Sequence, residues 1–170
     1  MIREGLGRFA LAGVLATAMM DLGSAVLRRT GLISGLAPSL IGRWFAYLAR
    51  GQFSHHTITQ SPAVRAEIPT ALAGHYLIGI TLAVMFCTLL LSYAPTPAQA
   101  MLLALGFGAL TNALPWLWMF PSMGFGPFGT GAPSEWLLLR SSLVNHLVFG
   151  AGLALSTRWL GIFAGCHGAT

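Results

Sequence analysis

Apolar and polar positions alternate along this chain in blocks rather than residue by residue. Four long apolar blocks stand at about 9–29, 69–94, 98–119 and 135–163, each near or above the ~20 residues a helix needs to cross a hydrocarbon layer. Polar and Gly/Pro-rich segments separate them. The pattern predicts an all-α, polytopic membrane protein with four transmembrane helices arranged as two hairpins in one domain spanning residues 1–170. The first hairpin has a loop of about 40 residues and the second one of about 15, counted between those helix ends. Within the long loop, "PSLIGRWFAYLARG" opens on Pro38, suited to a first helical turn, and stops at Gly51. Leu40, Ile41, Trp44 and Leu48 fall on one face, which predicts a short helix at about 38–50, lying in the interface or over the mouth of the helices. The segment "FPSMGFGPFGTGAP" after the third block is too rich in Gly and Pro for a regular helix and reads as a cap or a shallow re-entrant loop.

The two halves share a pattern. "HYLIGITLA" from His75 and "HLVFGAGLA" from His146 both place Gly four residues after His and Ala four further on. "GVLATAMMDL" from Gly13 and "GALTNALPWL" from Gly108 match in Gly, Leu, Ala and Leu. A duplicated hairpin, with repeats related along the membrane normal, accommodates both pairs. Ala71, His75, Gly79 and Ala83 form a small-residue ridge at spacing four, and Ser142, His146, Gly150 and Ala154 repeat it. Such ridges let helix backbones approach closely, so the second and fourth helices are expected to pack across them.

Composition strengthens the membrane reading: 55% of the 170 residues are hydrophobic and 8% charged, far below the usual quarter. Arg3 and Arg8 before the first block, and "GSA" within it, resemble a secretory signal, but the block's length and the Arg28-Arg29 stop favour a retained helix. All nine basic residues are arginine. Nucleic acid is therefore not an expected partner; the bilayer is, with anionic lipid at the Arg-rich loop. That loop holds Arg28, Arg29, Arg43, Arg50 and Arg65, and Arg140 lies near the start of the fourth helix, against Arg3, Arg8 and Arg158 on the other side. The excess places the loops in the cytoplasm and both termini in the periplasm. Cys87 and Cys166 have no paired spacing, and neither a disulfide framework nor a zinc knuckle is expected.

Ionisable and amide side chains inside membrane helices are costly and usually face a protein interior. Counted from the helix ends, Asp21 and Asn112 lie about 10 Å below the long-loop face, His75 about 12 Å, and Asn145 and His146 roughly 15 Å. With Thr17, they define an expected intramembrane polar pocket that opens to one side. Thr17, Asp21, Ser24 and Arg28 make one stripe on the first helix. Asp21 serves either a proton-handling role or a structural pairing with a histidine or Arg140; Asn112 and Asn145 also suit interhelical hydrogen bonding. Glu67, Arg140 and Arg28 are second-rank candidates that support the pocket or contact lipid, with Arg140 reaching for phosphates. His55 and His56 read as an incidental solvent pair rather than a metal site. No metal site, catalytic residue or enzymatic motif is expected.

The segments "ATAMMDL", "IGRW", Glu67 followed by "GHYLIG", "MFPSMGFG" and "RSSLVNHLVFGAGL" together resemble a bacterial family of small integral membrane proteins, the "domain of unknown function 2938" family, over about residues 10 to 160. The resemblance implies a multi-pass protein of the inner membrane and brings no activity, cofactor or catalytic residue. It also implies a polar residue at the position of Phe120, where this chain has phenylalanine. Three functions stay open: a small permease-like carrier, as a homodimer; an accessory or assembly subunit of a larger membrane complex; and a redox protein holding haem b through His75 and His146. No other cofactor is expected. The arginine distribution predicts that alkaline phosphatase fused at the C-terminus is active and that green fluorescent protein fused there is dark; a fluorescent fusion reverses the orientation.

Overall fold

The computed structural model describes residues 2–91, 93 and 95–163, and among them the regular structure is all helical, without a strand. Five helices appear in chain order: α1 Ile2–Arg29, α2 Pro38–Leu48, α3 Glu67–Leu91, α4 Pro97–Ser122 and α5 Glu135–Trp159. All except α2 are long and apolar enough to cross a membrane, and the chain reads as a multi-pass membrane protein. Leu22, Leu77, Leu102 and Leu110 are each more than 60% exposed. Four leucines so placed suit lipid, not water.

The ends of the helices have local causes. Glu67 opens α3, and its carboxylate accepts the Val64 N–H at 2.9 Å, tying the segment that enters the helix back onto its first residue. The helix therefore starts slightly before the expected boundary. α5 stops at Trp159 rather than near 163, because Gly161 takes a φ of +60° and lets the Ile162 N–H fold back to the Thr157 carbonyl at 3.0 Å. The third span runs to Ser122, past the expected end near 119. Pro115 has no N–H to give the preceding turn, and the ladder widens into a π-type turn over Pro115–Met119, in which the Phe120 N–H donates to the Pro115 carbonyl. Beyond Ser122 the backbone is irregular, with a short 3₁₀ turn at Pro127–Gly129. The loop helix ends at Leu48, two residues before its expected limit.

The chain forms two compact units. The first comprises residues up to Ala25, Tyr76–Leu110 and the chain from Asn145 onward; the second comprises Val26–His75 and Thr111–Val144. In the first, Phe9, Ala12, Ala16, Leu82, Phe86, Ala104, Phe149 and Leu153 build one apolar core from α1, α3, α4 and α5. In the second, Trp44, Ile58, Phe120, Met123, Phe125 and Leu138 build another. Phe120, at 2% exposure, is a core residue there, which explains an apolar side chain at that position.

Glycines set the close contacts of the first unit. A Cβ on Gly13 of α1 would stand 2.6 Å from the Ile80 Cα and 2.8 Å from the Gly79 carbonyl oxygen of α3. A Cβ on Gly108 of α4 would strike the His146 carbonyl of α5, with the Gly150 Cα at 3.1 Å. Gly150 in turn backs onto the Ala104 carbonyl, and Gly79 receives the Thr17 hydroxyl. The two ridges are used for close packing, each with its tightest contact on another helix, and Phe149 of α5 also stands 3.6 Å from a Cβ on Gly79. Gly79 and Ala83 face α1, while Gly150 faces α4. A periodic ridge identifies a helix face; it carries no information about which neighbour fills it. The same small-residue contact thus occurs in each half, between residues that also correspond in sequence.

In the second unit Gly42 of α2 meets the backbone of Glu67, where a Cβ would land on the carbonyl oxygen. Gly42→Ala is expected to lower stability by about 1–3 kcal/mol through this overlap. Gly7→Ala, with open space at its Cβ, should leave stability unchanged or raise it by up to about 1 kcal/mol. Thermal melts of both variants in one detergent check the pair, and equal melting temperatures would remove the close contact at Gly42.

Candidate functional site

Within the first unit α1 presents Thr17, Asp21 and Ser24 along one face, at spacings of four and three. Thr17 is fully buried, and its hydroxyl donates to the Gly13 carbonyl of its own helix at 2.8 Å. Its hydroxyl and Cβ fill the space that Gly79 leaves open, so it is a packing residue first. Asp21, one turn further on, is half-buried and accepts a hydrogen bond from the Tyr76 hydroxyl of α3. Ser24 is buried and donates to the Asn145 side-chain oxygen of α5 at 2.7 Å. His146 follows Asn145, half-buried, with its carbonyl covered by Gly108. Thr17, Asp21, Tyr76, Ser24 and Asn145 therefore make successive polar steps on the facing helices of this unit.

The second unit holds the other expected residues. His75 is half-buried on α3. Asn112 is 1% exposed, and its oxygen accepts from the Ser142 hydroxyl of α5 at 2.7 Å. Because Ser142 fixes the oxygen, the amide nitrogen points elsewhere, and it finds no acceptor among the described residues. Asn112 lies ten residues before the observed end of α4, so the depth counted along the helix is about 15 Å rather than 10.

Glu67 has a different neighbour from those expected. Arg43 of α2 binds it through Nε at 2.7 Å and Nη2 at 3.4 Å, and the same guanidinium donates to the Ser61 carbonyl at 2.8 Å. The hydrogen bond that the guanidinium donates to Glu67 holds Arg43 above its usual range. Next to it, the Trp44 indole donates to the Ser122 hydroxyl, and two ladder-like bonds run from the His55 and Ile58 N–H groups to the Ser122 and Met123 carbonyls. These contacts bring together "IGRW", Glu67 and "PSMG". Arg28 is exposed and its guanidinium folds over Gly35. The Arg140 Nε is buried without a partner among the described residues.

His55 corrects an expectation. It is 8% exposed, with Nδ1 at 3.1 Å from the Ser61 hydroxyl and 3.2 Å from Gln52 Nε2, and its ring stands edge-on to Tyr47. Only His56 is the solvent-facing member of the pair. Adjacent loop histidines have no periodicity from which burial can be read. Tyr76 was missed for another reason: a phenol carries no charge and does not register among strongly polar residues, although it directly follows His75. Among the described residues no three His, Cys, Asp or Glu side chains converge. The space beside Gly79 and Gly150 is filled by Thr17 and the Ala104 carbonyl. Cys87 is buried in the first unit's core, and Cys166 lies outside the described residues.

The segments that meet around Glu67, and those that carry Asp21 and Asn145, are the same ones on which the family resemblance rests. The family model described as "Protein of unknown function (DUF2938)" matches residues 10–160. The chain belongs to this family. No curated protein and no solved structure matches it. For this DUF2938 protein the geometry itself must therefore supply the functional reading.

Burial pushes the His55 imidazole below its usual value. A folded-state value below the unfolded one means that the unfolded chain binds the proton more tightly, so the neutral ring stabilises the fold. That stability is complete above about pH 7 and is lost as the pH falls through the ordinary histidine range near 6.5 towards the lower folded value. Thermal melts from pH 8 to 5 should show this loss, and His55→Asn, which keeps a donor or acceptor near the Nδ1 position, should flatten that part of the profile. A slope unchanged in His55→Asn would assign the titration elsewhere.

Proposed function

We propose that this DUF2938 protein is a small permease-like carrier in which polar side chains inside the membrane helices bind a small polar solute, with Asp21 holding a proton during the cycle. The observation that carries the reading is the carboxyl of Asp21 within an apolar span, hydrogen-bonded to the neutral Tyr76 hydroxyl. A carboxyl is costly in such a span and suggests function. A hydroxyl can both donate to the ionised carboxylate and accept from the protonated acid. The pair thus tolerates both protonation states without losing its contact. Ser24 and Asn145 extend the same polar face by one turn, supplying groups that can exchange protein partners for solute.

The same reading places the protein in the bacterial inner membrane, with the exposed Arg28, Arg29, Arg50 and Arg65 on the cytoplasmic side, near anionic headgroups. Four spans are few for a carrier, and a homodimer belongs to the proposal.

The test uses the full chain in proteoliposomes that trap a pH-sensitive dye. External amides, polyols, amino acids and sugars are offered one at a time under an inward proton gradient. At least one should accelerate proton entry. In Asp21→Asn that acceleration should fall to the rate of protein-free vesicles, and in Tyr76→Phe it should drop by about tenfold, the weight of one lost hydrogen bond. Solute-driven proton entry that persists in a folded Asp21→Asn protein removes Asp21 from the cycle.

A further inference from the structure

A pair of buried donors on α4 has no role in the packing described so far. The Asn112 side-chain nitrogen and the Trp116 indole nitrogen are both buried, and neither has a hydrogen-bond partner among the described residues. They stand one helical turn apart, as the 3.1 Å bond from the Trp116 N–H to the Asn112 carbonyl shows. Residues four apart on a helix share a face. Both nitrogens can only donate, and the Asn112 oxygen already accepts from Ser142. An unsatisfied buried donor costs about 1–3 kcal/mol, and two together inside a membrane span call for an acceptor.

The backbone around them is unusual in the same place. Pro115 lies between the two donors, and the helix widens into its π-type turn over Pro115–Met119. Turns of this kind concentrate at functional sites. Over the Trp116 ring lies Phe128, with centroids 5.8 Å apart, and Phe128 itself holds a φ of +57°. A bulky side chain in the left-handed region is strained and persists where its surroundings hold it. The donors thus stand beside aromatic and proline surface.

We infer that Asn112 and Trp116 form a subsite for an acceptor oxygen of an uncharged solute, a carbonyl or ether group on an apolar stem. Two neutral donors beside aromatic rings match such a group; they offer a carboxylate no counter-charge for its desolvation. A solute ammonium finds no acceptor in the two free nitrogens. The subsite deepens the carrier reading and rests on it for biological purpose, but binding is measurable without transport.

The experiment follows indole N–H resonances of the full-length, ¹⁵N-tryptophan-labelled protein in detergent micelles. The Trp116 signal is the one lost in Trp116→Phe. The probes are N,N-dimethylbutanamide, which only accepts hydrogen bonds, butylammonium, which only donates, and butanoate. The amide should shift the Trp116 signal downfield in a saturable way. Asn112→Leu should weaken that response by about tenfold, while Trp118→Phe, at an exposed indole of the same turn, should leave it unchanged. If Asn112→Leu does not fold, Ser142→Ala, which frees the Asn112 amide to rotate, should weaken the response instead.

No saturable shift with the amide overturns the subsite, as does an equal response to butylammonium or one that survives both Asn112→Leu and Ser142→Ala. A Trp116 signal that exchanges only with water overturns it in favour of bound water, and tighter binding of butanoate overturns the uncharged class. Loss of the subsite with Asp21-dependent uptake intact leaves the carrier standing. The subsite with no uptake from any solute does the reverse.

Discussion

Helices in lipid gain little from burying apolar surface against one another, because the acyl chains they displace are as apolar as the side chains they meet. Contact area and close approach must do that work, and in this protein the approach is set at Gly13 against Gly79 and at Gly108 against Gly150. At each place a single added Cβ would meet backbone atoms of the neighbouring helix. The polar residues ride on the same faces. Thr17 is one turn from Gly13, so the register that seats Gly13 against α3 also seats the Thr17 hydroxyl beside Gly79.

Polar satisfaction is arranged within each unit. Serine hydroxyls are paired with asparagine oxygens in two places: Ser24 with Asn145 in the first unit and Ser142 with Asn112 in the second. Each bond fixes one end of an amide and thereby aims the other. For Asn112 the aim leaves a donor without a partner among the described residues, beside a second one at Trp116. A structure built only for tight packing would more cheaply carry leucine there, since the unpaired donors oppose folding.

The long loop is ordered by a different balance. Gly42 lets α2 reach the first turn of α3, Arg43 meets the Glu67 carboxylate there, and Trp44 reaches Ser122 on the far side of the sequence. Three consecutive residues thus tie the loop helix to two other segments. The ion pair lies at the end of a span and is partly covered, with each side chain 12–13% exposed, where Coulomb attraction is less screened than in open water. His55, neutral and buried, completes the arrangement through backbone and ring contacts.

Much of this was determined by local sequence alone. Apolar run length and composition define four spans and their connection, because the bilayer imposes a minimum length on every segment that crosses it. Pro38 and Gly51 bracket the loop helix within two residues, because each acts on its own backbone. The glycine ridges and the Asp21 stripe were legible too, because helical periodicity orders side chains around one axis. Tertiary structure alone decided which helix fills each ridge, that Glu67 pairs with Arg43, that Tyr76 serves Asp21, and that His55 is buried. Those are choices among partners far apart in the chain. Periodicity describes one helix face at a time, and a partner is chosen only when two faces meet.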